Sequence, residues 1–586
     1  MAVDQSPMNK LITEHIDIWT SAVKTKSTSG RGSSKKLELY GVKKLRELIL
    51  ELAVRGKLVP QDPNDEPASD LLVESLKEKD ALIKKGIVKK SRSKKTIKEE
   101  HFYDYPASWV VSRLEDLINV VNGRAYKKAE MLSEGTPILR VGNLFTSNDW
   151  YYSDLQLEAD KYIDNGDLIY AWSASFGPFI WDGGKVIYHY HIWKMDIFRE
   201  TSLDKEFSKL FLQAISERIK ASGNGIAMIH MTKERMEKVM HPLPPINEQK
   251  QIVNRVNKLM TLCDQLEQQT EASVEAHQVL VTTLLDTLTN SANADELMQN
   301  WARISELFDT LFTTEESIDQ LKQTILQLAV MGKLVPQDPN DEPASELLKR
   351  IAEEKAQLVK EKKIKKQKAL PPISEDEKPF TLPSGWEWCR VGSISNLKGG
   401  FAFKSKDFVT NSIYQVIRMG NIRPDNLRLS ESPAYIPQQI AEEAKDYKLV
   451  SGDILLTMTG TKGKRDYLYS LLINEKDIVS NQLFLNQRLC NIQPIFVAPS
   501  FVNMVIKADI VLDAIFTKST GTANQANIGM DAIKNWVLPV APLAEQHRIN
   551  DMVNELMDVC DHIKTRLVDL QATQLKLTDT IIEQAV

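Results

Sequence analysis

GKLVPQDPNDEPAS spans residues 56–69, and the same fourteen letters return at residues 332–345. Composition alone does not produce an identity of that length. Either two copies of one structural unit are held alike by a shared constraint, or a duplication has not had time to drift. The flanks decide between these. Upstream, LRELILELAVR (45–55) matches LKQTILQLAVM (321–331), with apolar residues at helical spacing. Inside the stretch, Pro60, Pro63 and Pro67 forbid a continuous helix, and Asp-Pro and Asn-Asp pairs read as a turn, with Ser69 and Ser345 as caps for the next helix. That helix follows in both copies (SDLLVESLKEKDALIKK, SELLKRIAEEKAQLVKE), and each then ends in a basic run, 84–95 and 360–368.

Beyond the basic runs the copies diverge, yet landmarks keep their order. PASWVVSRL with Trp109 answers LPSGWEWCRV with Trp386, and NGRAYK (122–127) answers GGFAFK (399–404). ILRVGNL (138–144) answers VIRMGNI (416–422), and NGDLIYAWSAS (165–175) answers SGDILLTMTGT (451–461). Both divergent regions close on a proline-rich exit and Glu-Gln, HPLPPINEQKQI (241–252) and LPVAPLAEQHRI (538–549). A heptad seam follows each exit, through Ile252, Val256, Leu259, Cys263, Leu266, Leu280 and Leu284, and through Ile549, Val553, Leu556, Cys560, Ile563, Leu567, Leu570, Gln574, Leu577 and Ile581. Drift everywhere except the repeated stretch weakens the recent-duplication reading.

These segments predict an α+β chain with a pseudo-two-fold internal repeat: two β-rich heads separated by long helices that form an antiparallel coiled coil. The expected boundaries are an N-terminal extension 1–44, a helical repeat 45–100, a first head 101–245 and a long helix with connector 246–320. A second helical repeat 321–375, a second head 376–543 and a C-terminal helix 544–586 complete the chain. Gly-Asp and Gly-Asn turns among Val, Ile, Tyr and Phe runs mark the heads as strand-built.

At 586 residues, with 42% apolar and 26% charged positions, the chain has the composition of a soluble multi-domain protein. It shows no membrane-length apolar run, and its N-terminus lacks the layout of a signal peptide, so the cytoplasm is the expected compartment. Four cysteines without a CxxC pair argue against zinc and against a disulfide framework. The net charge of −5 disfavours a nucleic-acid partner only mildly, because the basic runs concentrate the positive charge. No P-loop is present, since GTKGKR (460–465) has the wrong spacing, and neither a dinucleotide fingerprint nor an amino-methyltransferase motif appears.

Two divergent heads, each closing on a Pro-Pro or Ala-Pro exit with Glu-Gln and a seamed helix, together with the ILRVGN/VIRMGN and GDLIYA/GDILLT landmarks, resemble the specificity subunit of a type I restriction–modification system. The repeated ILELAVRGKLVPQDPNDEPAS-like segment is similar to the scaffold of its longer, type IB members. The resemblance implies that each head is a target recognition domain for one half of a split double-stranded DNA site. It further implies that the chain has no catalytic site, metal or cofactor of its own. S-adenosylmethionine, ATP and Mg would belong to the partners, two methyltransferase subunits and two restriction/translocase subunits. A two-headed scaffold that binds protein rather than DNA is the competing reading, and a cryptic enzyme is a further one.

Arginine and asparagine are the usual bidentate readers of guanine and adenine. Arg140 and Asn143, with Arg418 and Asn421 at the matching turn, are therefore candidate DNA contacts, although their persistence in both heads favours a structural or phosphate role. Arg124, Lys127 and Lys404 are phosphate candidates, as are Thr461, Lys462, Lys464 and Arg465 on a glycine loop. Trp109 and Trp386 read as core anchors. Within the repeated stretch, Leu58, Val59, Leu334 and Val335 are the expected docking contacts for the methyltransferase subunits.

Overall fold

A computed structural model describes residues 7–26, 36–89, 104–173, 175–222, 232–424, 426–522 and 525–585. It divides into two compact units, Met1–Lys24 with Glu38–Glu271 and Gln571–Val586, and Thr25–Leu37 with Ala272–Leu570.

In the first unit, helix α1 (Tyr40–Val54) buries Leu45, Leu48, Ile49, Leu52 and Ala53. It stops at Gly56, whose φ of +70° suits a residue without Cβ, and a Cβ there would come within 2.5 Å of Pro106 and 2.9 Å of Trp109. The Asp62 carboxylate accepts the Asn64 N–H at 2.9 Å and makes the turn. Helix α2 (Ala68–Lys84) starts directly after Pro67, so the cap expected of Ser69 is replaced by a proline-set φ.

The head is closed at its base by β1 (Val110–Arg113) pairing antiparallel with β10 (Met240–Leu243). Between them run β2 (Ile118–Asn122), β3 (Thr136–Leu139), β4 (Tyr151–Ser153), β5 (Tyr162–Ile163), β6 (Leu168–Ser173), β7 (Ser175–Ile180), β8 (Val186–Tyr188) and β9 (Ile192–Ile197). They form two four-stranded sheets, in the orders β2-β9-β6-β7 and β4-β3-β8-β5. In the second of these, β3 and β8 run parallel. Helix α3 (Lys205–Ser222) presents Phe207 edge-on to Trp109, with ring centroids 5.9 Å apart. Helix α4 (Ile246–Thr289) leaves the base, with Ile252, Val256, Leu259 and Cys263 buried in the same cluster as α1. Arg46 of α1 reaches both Asp264 and Glu267 at 2.7 Å.

The second unit repeats the plan. Helix α5 (Glu315–Val330) ends at Gly332 (φ +67°), which lies against Pro383 and Trp386, and α6 (Ala344–Lys360) follows Pro343. Its head runs through β11 (Glu387–Arg390), β12 (Ser395–Gly399), β13 (Tyr414–Ile417), β14 (Ile454–Thr457), β15 (Ser470–Leu472), β16 (Gln482–Leu485), β17 (Leu489–Pro494) and β18 (Val537–Val540). The order β12-β17-β14-β15, the parallel pair β13–β16 and the closing pair β11–β18 answer β2-β9-β6-β7, β3–β8 and β1–β10 of the first head, although among the described residues no strands flank β13 and β16 as β4 and β5 flank β3 and β8. Helix α7 (Leu543–Ala585) buries Ile549, Val553 and Cys560 in the cluster that holds α5, where Lys564 bonds Asp319 at 2.7 Å. Each seam therefore begins by closing on the preceding repeat helix of its own unit.

The tails cross over. The last turns of α4 bury Val281, Leu285 and Leu288 in the second unit's core, and Asp579 on the last turns of α7 accepts the Tyr40 hydroxyl at 2.7 Å in the first. Burial and that carboxylate hold the Tyr40 hydroxyl protonated far above its usual range.

The repeated stretch is a joint. Gln61 donates to the Gly56 carbonyl at 2.8 Å, and Gln337 to that of Gly332 at 2.6 Å. Each also reaches the buried glutamate of its Glu-Gln exit, Gln61 to Glu248 at 3.3 Å and Gln337 to Glu545 at 3.4 Å. Glu545 additionally accepts the Trp386 indole at 3.0 Å. The neighbouring Gln546 takes the Ala498 N–H at 2.9 Å and donates to the Ala541 carbonyl at 2.8 Å, and Gln249 does the same with Asp204 and Pro244. Asp65 and Asp341 bind Asn247 and Arg548 on the long helices.

Two expectations change here. Leu58 and Val335 are buried, and Val59 and Leu334 pack half-buried on the same cores. Leu58 and Val335 are thus taken up by the cores of their own units, which removes them as the docking surface assigned to them, whereas Val59 and Leu334 keep part of their surface exposed. The boundary expected at 44 also shifts, because Trp19 is fully buried in the same cluster as α1 and that helix already starts at Tyr40. Of the two basic runs, residues 90–95 lie outside the described residues, whereas 360–368 trails α6 with mostly exposed side chains.

Candidate nucleic-acid interface

In both heads the parallel strand pair delivers an arginine turn to one end of a sheet. β3 ends before Arg140 and β13 before Arg418. The Arg140 N–H donates to the Asn143 side-chain carbonyl at 3.1 Å, and the Arg418 N–H to that of Asn421 at 2.9 Å. Each asparagine then donates onward, Asn143 to the Asp149 carbonyl at 2.8 Å and Asn421 to those of Arg428 and Glu431 at 3.0 and 2.9 Å. Asn421 is only 2% exposed. Their amides are committed to holding the turn, which removes Asn143 and Asn421 as base readers.

The arginines are held less completely. Arg140 bonds the Asp149 carbonyl at 2.9 Å and lies over the Tyr151 ring at 4.3 Å, and Arg418 bonds the Ser432 carbonyl. Arg418 lines an open groove of about 670 Å³ with Arg423, Arg488, Asn486, Ser405 and Phe403 among its walls, against a single carboxylate, Glu431. Arg423 and Arg488 were not legible as site residues: Arg423 follows the matched motif, and Arg488 falls where the heads share no letters. Only three-dimensional convergence on Arg418 reveals them.

Among the other candidates, Arg124 forms a two-pronged pair with Glu130 at 2.8 and 3.2 Å, which neutralises it locally and holds the Glu130 carboxyl below its usual range. Thr461 gives its N–H and hydroxyl to Asp466 at 2.7 and 2.6 Å, and Arg465 pairs with Asp509 and Asp513. The glycine loop is thus knitted to its own head, which removes Thr461 and Arg465 as free phosphate contacts. Lys127, Lys404, Lys462 and Lys464 are exposed, as a phosphate contact requires.

The first head places aromatic groups where the second places arginines. Trp172 stacks on Trp193 at 5.5 Å and meets His191 edge-on at 5.1 Å, and His189 lies 4.3 Å from Tyr190. Burial, then the neighbouring His191 and Arg140 charges, push His189 down to about 4, so it is neutral near pH 7. Trp109 and Trp386 are core residues, 6% and 5% exposed.

Two strand-built heads, each with an arginine turn and exposed lysines, stand on matched helical mounts, and comparison with known proteins gives the class of protein to which this plan belongs. The chain belongs to the family described as the type I restriction modification DNA specificity domain, which matches residues 106–276 and 383–571. It is 41% identical to the type I restriction enzyme EcoAI specificity subunit of Escherichia coli, over 99% of this chain and 100% of that one. It is 39% identical to the EcoEI specificity subunit of the same species over 99% of each. A solved chain from a type I restriction–modification system aligns over 82% of this chain and 98% of its own, at 14% identity and a TM-score of 0.45. The protein is a DNA-specificity subunit of a type I restriction–modification system.

Proposed function

We propose that each head reads one word of a bipartite double-stranded DNA target, the words being separated by bases that neither head touches. The observation that carries this reading is the shared frame with unlike contents: the order of the main sheet and the Arg–Asn turn are common to both heads, whereas beside the turn the second head has an arginine-lined groove and the first a cluster of tryptophan, tyrosine and histidine rings. The long helices α4 and α7 then act as an antiparallel coiled-coil spacer with pseudo-two-fold symmetry. Their lengths, 44 and 43 residues, correspond to roughly 65 Å each at ~1.5 Å per residue. Heads reading one face of B-DNA need centres about 34–36 Å apart, which such a spacer spans once head width is subtracted.

The chain docks two methyltransferase subunits and, through them, two restriction/translocase subunits, and itself supplies no catalytic group. S-adenosylmethionine, ATP and Mg are bound by those partners. The cytoplasm is the working compartment, in keeping with the lack, among the described residues, of any helix long and apolar enough to cross a membrane. Sequencing the DNA methylated by the purified chain with its methyltransferase subunits tests the reading: two words with a constant gap are expected. A continuous motif, or no sequence preference, refutes it and favours the protein-binding scaffold.

A further inference from the structure

The turn between the parallel strand and its neighbour is built identically in the two heads. In the first, residues 189–191 join β8 to β9, and in the second, residues 486–488 join β16 to β17. Backbone bonds correspond one to one. Arg124 donates to the Tyr188 carbonyl at 3.1 Å, as Phe401 does to that of Leu485 at 2.9 Å. Tyr190 donates back to Arg124 at 3.1 Å, as Gln487 does to Phe401 at 3.0 Å. His189 donates to Leu139 at 2.9 Å and Asn486 to Ile417 at 3.3 Å, while Ile192 and Leu489 close the turn on His189 and Asn486. Trp172 and Met458 then donate to the carbonyls of His191 and Arg488. Gly123 and Gly400 stand so close to the carbonyls of His189 and Asn486 that any Cβ would collide with them.

On this common frame the side chains differ at every position: His189, Tyr190 and His191 against Asn486, Gln487 and Arg488. The difference decides what kind of contact the turn makes. Phosphates are the same at every base pair, so a phosphate-binding position keeps its cation whatever sequence is read. Arg140 and Arg418 behave that way. Arg488 does not, since its counterpart is a histidine in an aromatic cluster. Arg488 is also exposed, and among the described residues its guanidinium has no ion pair, although it lines the groove with Asn486, Arg418 and Arg423. A guanidinium carries five N–H donors in a planar fork, matched by the paired O6 and N7 acceptors of guanine.

Resting on the two-word reading above, we propose that this three-residue turn is the base-reading element of each head. Arg488 presents its fork to a guanine edge with Asn486 beside it, and His189, Tyr190 and His191 read the other word by hydrogen bonds and apolar contact. The matched arginines Arg140 and Arg418 and the exposed lysines set register on the backbone.

The test uses the chain assembled with its methyltransferase subunits. Equilibrium binding is measured on duplexes carrying the wild-type target, each single-base change in it, and an unrelated sequence, at several salt concentrations. Arg488→Ala and Arg488→Lys should each lose roughly 10- to 100-fold on the wild-type target, because lysine keeps the charge but not the fork. Discrimination should collapse at one base pair of one word, with binding to unrelated DNA within about twofold of wild type. Placing Asn, Gln and Arg at positions 189–191 should alter only the other word. A uniform loss on all sequences in Arg488→Ala that Arg488→Lys restores would identify a phosphate contact and overturn the proposal, as would unchanged discrimination in both variants. Should Arg488→Ala fail to fold, the charge-preserving variant decides alone. Failure of the two-word reading is distinguished by the wild-type complex itself, which would then show no pair of words to alter.

Discussion

Gly332→Ala tests whether the repeated stretch is a packed joint. The residue has φ +67°, a conformation that costs a Cβ-bearing residue ~1 kcal/mol. The new methyl would lie 2.5 Å from Pro383 Cγ and 3.1 Å from Trp386 Cζ2. Pro383 is a ring on a constrained backbone and yields little, so overpacking adds about 1–3 kcal/mol. The expected destabilisation is about 2–4 kcal/mol, centred on the Trp386–Glu545 contact. Gly56→Ala, with Pro106 at 2.5 Å and Trp109 at 2.9 Å, should behave alike in the first unit. Gly86→Ala is the control: its φ is +72° but nothing lies within 4 Å, leaving only the ~1 kcal/mol backbone cost. Native-state hydrogen exchange of the full chain resolves the units separately. Amides of α5 and β11 should lose protection in Gly332→Ala, and those of α1 and β1 in Gly56→Ala. If both variants cost no more than Gly86→Ala, the joint is not tightly packed and the reasoning fails.

Two further outcomes follow from the same structure. His241 is fully buried, its Nδ1 2.7 Å from the Pro242 carbonyl and its Nε2 3.1 Å from the Ser208 hydroxyl, and burial pushes it down to about 4. The unfolded histidine binds a proton near pH 6.5 that the folded one refuses, so stability is full above that pH and falls, by at most about 3 kcal/mol, as pH drops towards 4. Melting against pH should show this decline in the first unit, where the half-buried His189 adds to it, and His241→Phe should remove the His241 share and leave a shallower slope; an unchanged slope would refute the assignment. Inserting four residues after Leu567 lengthens α7 by ~6 Å, which at ~3.4 Å per base pair should widen the gap between the words by about one to two base pairs. A methylation motif with an unaltered gap would mean that the helix does not measure DNA.

The repeat, its two heads and the long helices were legible because proline turns, helical spacing and paired landmarks are local features that identity preserves. Which face each apolar residue covers was not. Leu58 and Val335 belong to a turn without period, so the sequence does not show that they point inward. The seam through Ile252, Val256, Leu259 and Cys263 reads as a helix-pairing stripe, but it does not name the partner, and α1 takes part of it through Arg46. Asn143 and Asn421 match the chemistry of base readers, and only their bonds to backbone carbonyls show them to be the pins of a turn. Arg423 and Arg488 escaped notice because a groove gathers residues from segments that no sequence spacing relates.

The central claim is that each head reads its own word. Exchange of residues 101–245 for the first head of another specificity subunit, followed by methylome sequencing of the assembled complex, tests it most directly. One word should change, with the other word and the gap unaltered. A motif changed in both words, or in neither while the complex stays active, would contradict the account.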